Sequence, residues 1–303
     1  MNWATVLLAA FPLLQAPYTL KLDVPVVSID VTAVDGKDNL VNDLTKDDFL
    51  IYENGIPQEI RFFSPVSTPY HVFLLFDSSG STLNNRDFMR NAAAKLIENL
   101  RPQDSIAVGS FADNFQLKLA WSTDHKKAAT ALDAVARTNE SNETRFYAAL
   151  DRTLRSEFKG VIGRRAVVVL TDGEDTSLVY ESNAAKRVLQ SSREQRIPVS
   201  IVVLPRELAT QLFFENTLAY FEDVRFNMQR IVDNSGGEIL FSKDLSEVEV
   251  LYGQIGKRLG TAYSLGYVPS NSLKDGTFRK IEVKSPRNSL RLIQSRQRYY
   301  AQN

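Results

Sequence analysis

The chain has no cysteine in its 303 residues. Disulfides, thiolate metal sites and a thiol nucleophile are excluded together. Histidine is scarce as well. His71 stands just before the apolar run Val72 to Phe76 and His125 near an expected helix start. Neither is placed to serve as the base of a serine hydrolase, and the G-x-S-x-G elbow is missing too. No Walker-type phosphate loop or G-x-G-x-x-G turn occurs. Net charge is also lacking, with 36 Lys and Arg against 36 Asp and Glu. The electrostatic footprint of a nucleic-acid binder is therefore absent. The basic residues near the C-terminus, Lys284, Arg287, Arg291, Arg296 and Arg298, alternate with apolar ones as the solvated face of strands would. The N-terminal stretch MNWATVLLAAFPLLQAPY is too short to span a bilayer comfortably. Its apolar run has signal-peptide length and ends in the small residue Ala16, although no Lys or Arg precedes it. Residues 1–17 are expected to be a signal peptide. The expected protein is exported, periplasmic or extracellular, with no transmembrane span.

What is present begins with short alternating strands. VVSIDVTAVDG runs into a turn at Asp35-Gly36, and FLIYENGIPQEIRFF places two strand-like runs about Asn54-Gly55, a hairpin signal. From His71 the texture changes to strands alternating with helices, the pattern of a parallel sheet covered on both faces. Val72 to Phe76, AVVVLT (166–171) and VSIVVL (199–204) read as strands buried on both sides. SIAVGSF (105–111) and QLKLAW (116–121) form a pair about Asp113-Asn114, the second alternating as an edge strand does. Helices are predicted from Arg86 to Leu100, with Phe88, Met89, Ala92, Leu96 and Leu100 on one stripe, and over about 124–135, 146–158, 182–195, 206–234 and 245–259. EILF (238–241) is the last strand of this part. Strand texture then returns in AYSLGYVP, FRKIEVKS and LRLIQSRQRYY. No internal repeat or low-complexity tract interrupts the series. The fold class is α/β: a doubly wound, mostly parallel six-stranded sheet over residues 69–260, with a second, smaller all-β domain built from the flanking segments 18–68 and 261–303.

The α/β part carries oxygen donors at three strand ends. Asp77, Ser79 and Ser81 follow the first strand with D-x-S-x-S spacing, Thr144 precedes a helix, and Asp172 follows AVVVLT. In an extended turn, positions i, i+2 and i+4 aim their side chains the same way, so one loop can offer three donors to one ion. Carboxylates and hydroxyls without nitrogen or sulfur suit a hard dication, Mg²⁺ first, with Ca²⁺ or Mn²⁺ also accepted. Two carboxylates balance its charge. An anionic oxygen from outside, the carboxylate of a partner protein, is then the natural remaining ligand. Taken singly, each motif has an ordinary reading: a Ser-rich turn capping a helix, a strand-ending turn, a Thr N-cap. The inference rests on their joint placement at the carboxyl ends of one sheet, where open α/β folds hold ligands.

FDSSGS, the Thr144 loop and LTDGED resemble the metal-ion-dependent adhesion site of a von Willebrand factor type A domain, and the resemblance covers about residues 69–260. The flanks, VNDLTKDDFLIYENGIPQEIRFFS and YSLGYVPSNSLKDGTFRKIEVKS, resemble a bacterial group of proteins with this domain that is often exported. The resemblance implies a six-stranded, Rossmann-like sheet with one antiparallel edge strand, a Mg²⁺ on top held by Asp77, Ser79, Ser81, Thr144 and Asp172, and metal-dependent binding of a partner's acidic side chain. It implies an interaction module and not an enzyme, with no small-molecule substrate. One departure is Glu143, where the family usually has Gly; Glu143 and Asp175 are both kept out of the ligand set. The site would lie at a loop rim, outside the core. Two alternatives stand beside this reading. One is a Mg²⁺-dependent phosphotransferase or phosphatase with Asp77 as nucleophile, although such enzymes want a second acid where Ser79 stands. The other is a secreted scaffold whose metal is saturated by protein.

Overall fold

The computed structural model describes residues 26–138, 143–176, 183–204 and 215–301, with the backbone alone for 215–224. The expected signal peptide lies outside the described residues. The elements run in the order β1 (Val27–Val34), β2 (Leu50–Glu53), β3 (Ile56–Gln58), β4 (Ile60–Ser64), β5 (Tyr70–Asp77), α1 (Arg86–Glu98), β6 (Ser105–Phe111) and β7 (Phe115–Ser122). They continue with α2 (His125–Ala136), α3 (Phe146–Arg152), β8 (Arg164–Thr171), α4 (Ala184–Gln195), β9 (Val199–Val203), α5 (Glu215–Ser235), β10 (Glu238–Phe241) and α6 (Leu245–Thr261). The last strands are β11 (Ala262–Tyr267), β12 (Thr277–Lys284), β13 (Arg291–Gln294) and β14 (Arg298–Ala301).

A six-stranded sheet in the order β10-β9-β8-β5-β6-β7 forms the middle of the chain. Every pair is parallel except β6 with β7, which closes one edge antiparallel as the alternating sequence predicts. Side chains of β5 divide by parity. Val72, Leu74 and Phe76 join the α1, α2 and α6 side, whereas Phe73 and Leu75 join the α3, α4 and α5 side. Period-two alternation into two cores explains why this strand reads as a continuous apolar run. From β5 the chain steps to β6 and β7 on one side, then returns to β8, β9 and β10 on the other. The crevice between the carboxyl ends of β5 and β8 is therefore the topological switch point, the place where such sheets hold ligands. On α1 the buried stripe is Met89, Ala92, Ala93, Leu96 and Ile97. Phe88, expected to face inward, is 44% exposed because it sits one position off that stripe.

The flanking segments build two four-stranded antiparallel sheets, in the orders β13-β1-β11-β4 and β14-β12-β2-β3. In the first, strands from before and after the α/β part alternate; in the second, the C-terminal pair β14-β12 joins the N-terminal pair β2-β3 through β12 and β2. Both sheets feed one core that includes Ile29, Val31, Ile51, Tyr263, Tyr267 and Ile281. The hairpin between β2 and β3 turns at Asn54 and Gly55 with φ of 49° and 82°, the paired left-handed conformations of a two-residue hairpin loop. Arg296 corrects the sequence expectation. It is only 9% exposed and donates to the Asp233 carbonyl on α5, and burial lowers its pKa to about 10. Strand alternation could not signal this, since the contact comes from a helix distant in sequence. Arg164 makes a second joint. It lies 3.9 Å over the Tyr70 ring and donates to Ser264 Oγ and the Ala262 carbonyl, while Tyr70 Oη donates to Asp30 Oδ2 at 2.8 Å.

Because β11 lies between β1 and β4, and β12 pairs with β2, a chain ending at residue 261 is expected to lose both sheets. Residues 24–63 and 262–300 produced separately should each give the narrow amide spectrum of an unfolded chain and fold only when mixed. A dispersed spectrum from either alone would contradict this.

Candidate functional site

Asp77 ends β5, in register with Phe111 of β6, and the chain beyond it is tied back to the sheet by Ser78 N–H donating to the Phe111 carbonyl at 2.8 Å. Contrary to the loop-rim expectation, Asp77 and Ser79 are both fully buried. Asp77 Oδ1 accepts from Ser79 N–H at 3.0 Å and from Ser79 Oγ–H at 2.6 Å. Its other oxygen accepts from Thr171 Oγ1–H at 2.7 Å. Thr171 is the last residue of β8, so this bond spans the switch-point crevice. Ser81 is exposed, and its Oγ lies 3.1 Å from that of Ser79.

The third loop is wrapped around Asp172. Gly173, at φ 84°, takes a left-handed conformation that a side chain would strain, and its N–H donates to Thr171 Oγ1. Asp172 accepts from Glu174 N–H at 3.1 Å. Asp172 stands close enough to Asp77 to act on its ionisation: burial first, then the Asp172 charge, raise the Asp77 pKa to about 7 against the hydrogen bonds that favour its anion. Two carboxylates thus converge where little water reaches one of them.

Thr144 is brought to the same face by backbone stitching. Its N–H donates to Thr176 Oγ1 at 2.9 Å, Thr176 N–H donates to its carbonyl at 2.9 Å, and Arg145 N–H donates to the Ala112 carbonyl just past β6. The Thr144 loop is therefore clamped between the ends of β6 and the Asp172 turn. Thr144 is 1% exposed, and its Oγ1 is buried with no hydrogen-bond partner. It does not cap α3. That role falls to Asp175, whose Oδ2 accepts from Tyr147 N–H at 2.8 Å. Asp175 is thus a structural carboxylate, a role the sequence hid because cap and helix lie 28 residues apart. Glu143 is exposed and pairs with Arg145 at 3.3 Å.

Among the described residues no three His, Asp or Glu side chains cluster as a metal site. A cation at this face would depend on hydroxyls, and the residues present fit one. The Ser79 proton is directed at Asp77, which leaves its lone pairs for a cation. The 3.1 Å between Ser79 and Ser81 oxygens is close to the edge of about 2.9 Å expected of an octahedron with Mg–O bonds of 2.0–2.1 Å. The unpaired Thr144 hydroxyl is a donor atom without a present use.

The other motifs lie elsewhere. His71 Nδ1 is 2.6 Å from Ser105 Oγ, and His125 Nε2 is 2.9 Å from the Asp104 carbonyl, both at the opposite end of the sheet. His71 and Asp77 are six residue steps apart along the strand, roughly 20 Å at about 3.3 Å per step. Neither histidine can serve chemistry at Asp77.

The family model for the von Willebrand factor type A domain matches residues 71–250. No curated protein matches the chain. Among solved structures, von Willebrand factor type A from Catenulispora acidiphila is 12% identical, with 92% of this chain and 75% of that one covered and a TM-score of 0.51. An aerotolerance-related membrane protein from Bacteroides fragilis is 19% identical over 62% of this chain and 99% of its own, with a TM-score of 0.46. Proximal thread matrix protein 1 from the mussel byssus is 13% identical over 64% of this chain, which spans about half the length of that protein (48%), at a TM-score of 0.47. At 12% identity the likeness to the Catenulispora acidiphila structure concerns the fold alone. No described helix is long and apolar enough to cross a membrane.

Proposed function

Because the chain belongs to the von Willebrand factor type A domain family, whose members are generally metal-dependent protein-interaction modules and not enzymes, we propose that it binds a carboxylate of a partner protein through a divalent cation at the β5–β8 crevice. The observation that carries this reading is the buried, unpartnered Thr144 hydroxyl, on a loop bonded to Thr176 just past the Asp172 turn, together with two carboxylates that repel each other. A dication would relieve both conditions. Ser79, Ser81, Thr144 and Asp172 would hold it, and Asp77 would act through the Ser79 hydroxyl whose proton it accepts. Mg²⁺ fits best, with Ca²⁺ or Mn²⁺ possible on the same donors. When bound, the cation supplies a Lewis-acid position for an external carboxylate. Ser81 is the exposed member of the set, so the partner approaches from its side. Export, with cleavage within residues 1–17, belongs to the same proposal, since a surface or periplasmic module meets partners there.

Asp77 speaks against the phosphotransfer alternative. A nucleophilic carboxylate needs a free, reachable oxygen, and here both oxygens are engaged and buried. The test is Mg²⁺ titration of the full chain by calorimetry, followed by capture from the extracellular or periplasmic fraction with Mg²⁺ or with chelator. Capture unaffected by chelator would refute the proposal, as would a phosphorylated Asp77.

The raised Asp77 pKa gives the site a pH signature. Its folded value, about 7, lies above the unfolded carboxyl value, so the stability this group contributes is present below about pH 4 and lost as pH rises through 7. Metal-free protein should therefore melt at a lower temperature at pH 8 than at pH 5.5 as far as this group is concerned. Mg²⁺ competes with the same proton. Its affinity should fall by about tenfold per pH unit below pH 7, and the Mg²⁺-induced rise in melting temperature should be larger at pH 8 than at pH 5.5. A pH-independent rise would count against the Asp77 charge supporting the cation through Ser79.

A further inference from the structure

At the opposite pole of the sheet from Asp77, the carboxyl ends of α4 and α5 meet β12 and β14 across a groove with two adjoining lobes, of about 300 and 340 Å³. Asp233, Asn234 and Tyr300 line both lobes, which makes the groove continuous. One lobe is cationic. Arg193 on α4 has its Nε buried without a hydrogen-bond partner, and the buried amide nitrogen of Asn234 has none either. Burial and the neighbouring Arg230 guanidinium lower the Arg193 pKa, which places two like charges from two helices at one spot. No ion pair is formed by Arg193 or Arg230 among the described residues. The nearby acids are engaged elsewhere: Glu194 faces Arg155 at 3.8 Å and Asp233 accepts from Gln229 Nε2 at 3.0 Å. The other lobe is aromatic. Phe226 is 61% exposed with Arg230 5.5 Å from its ring centre, and Phe278, 48% exposed, meets Tyr300 at 4.9 Å between ring centres.

Each feature is costly to a folded chain alone. Two guanidiniums without counter-charge repel, buried N–H groups without acceptors lose their water, and exposed aromatic rings shed none of theirs. One kind of ligand satisfies all of them. We propose that the groove binds a carboxylate carried on an aromatic residue, the carboxylate bridging Arg193, Arg230 and Asn234 and the ring entering between Phe226, Phe278 and Tyr300. Guanidinium forks match a carboxylate bidentately, and rings pack edge-to-face or offset at 4.5–7 Å. The lobe volumes suit a ligand of one or two residues. A free aromatic acid and the C-terminal residue of a protein share this chemistry.

The experiment is an amide NMR and calorimetric titration of the full chain with three probes: N-acetylphenylalanine, a pentapeptide ending in phenylalanine with free carboxylate, and the same pentapeptide amidated. The free acids are expected to bind and the amide not to. Arg193→Gln with Arg230→Gln should weaken binding at least tenfold, and Phe278→Ala should do so independently while the fold persists, since all three side chains reach solvent. A pentapeptide at least tenfold tighter than the amino acid identifies a protein C-terminus as the source; equal affinity identifies a small acid. Binding should be unchanged in Asp77→Asn and with chelator, so it stands or falls apart from the metal site. No binding of either acid, equal binding of the amide, or full binding by the double Arg variant would overturn the proposal.

Discussion

Asp77→Asn is expected to abolish Mg²⁺ binding and, with it, chelator-sensitive partner capture, while leaving the metal-free fold at least as stable as the wild type at pH 8. The substitution keeps the shape of the side chain. An amide oxygen can still accept from Ser79 N–H and Oγ–H, and the amide N–H₂ can donate to Thr171 Oγ1, which already accepts from Gly173 N–H. What disappears is a charge that burial and Asp172 both oppose. In the metal-free protein its removal is therefore relief, not damage. For a bound dication it is the loss of one of two anions in a site poor in water. Removing one partner of a buried charge pair costs about 3 kcal/mol or more, which corresponds to about a hundredfold in affinity or greater. Calorimetric titration with Mg²⁺ and a thermal melt at pH 8 in chelator measure the two effects. The opposed signs separate this site from a structural one, where the same change would lower stability with or without metal. A variant that binds Mg²⁺ within a few-fold of wild type would remove Asp77 from the site.

The sheet and the place of this site were legible because their determinants are local. A buried parallel strand must be apolar throughout, so Val72 to Phe76 announces itself, and the alternating sequence of Phe115–Ser122 marks an edge strand, although irregular pairing with β6 leaves Leu117 45% exposed and breaks the alternation of burial. The spacing of Asp77, Ser79 and Ser81 marks the loop, but not through the expected extended turn: Ser79 is extended, Gly80–Asn85 is a 3-10 helix, and the bend between them still leaves the Ser79 and Ser81 hydroxyls 3.1 Å apart. What stayed hidden depends on partners far along the chain. The Asp77 environment comes from Thr171, 94 residues away, and turns an expected rim into a buried carboxylate. Asp175 caps a helix from across a loop, Arg296 meets a carbonyl 63 residues back, and Phe88 is misplaced by one residue of helical phase. The guanidinium pair of Arg193 and Arg230 looks like any solvated helix face until two helix ends are brought together.

The largest loss of stability is expected from Arg279→Met. Arg279 and Glu53 are 2% and 3% exposed, and their side chains meet at 3.1 Å across the β2–β12 pairing. Glu53 also accepts from Tyr267 Oη at 2.7 Å and Tyr299 Oη at 2.8 Å, and Arg279 donates to the carbonyls of Asn271 and Leu273. One carboxylate thus joins β2 to strands of both flanking sheets, with every partner contributed by the C-terminal segment. Methionine fills the space of the guanidinium stem but leaves Glu53 as a buried anion held by two phenols alone, and strands two carbonyls. Breaking such a pair from one side costs about 3–5 kcal/mol, whereas removing both charges is far less harmful. Glu53→Gln with Arg279→Met should therefore recover much of the loss, a coupling read as a double-mutant cycle from urea midpoints. Hydrogen exchange locates the damage: amides of Ile51 and Val283, in the β2–β12 pairing, should lose protection before those of Leu74 in the central sheet. Equal destabilisation by the single and double variants would mean that packing, not the buried charge pair, carries this joint.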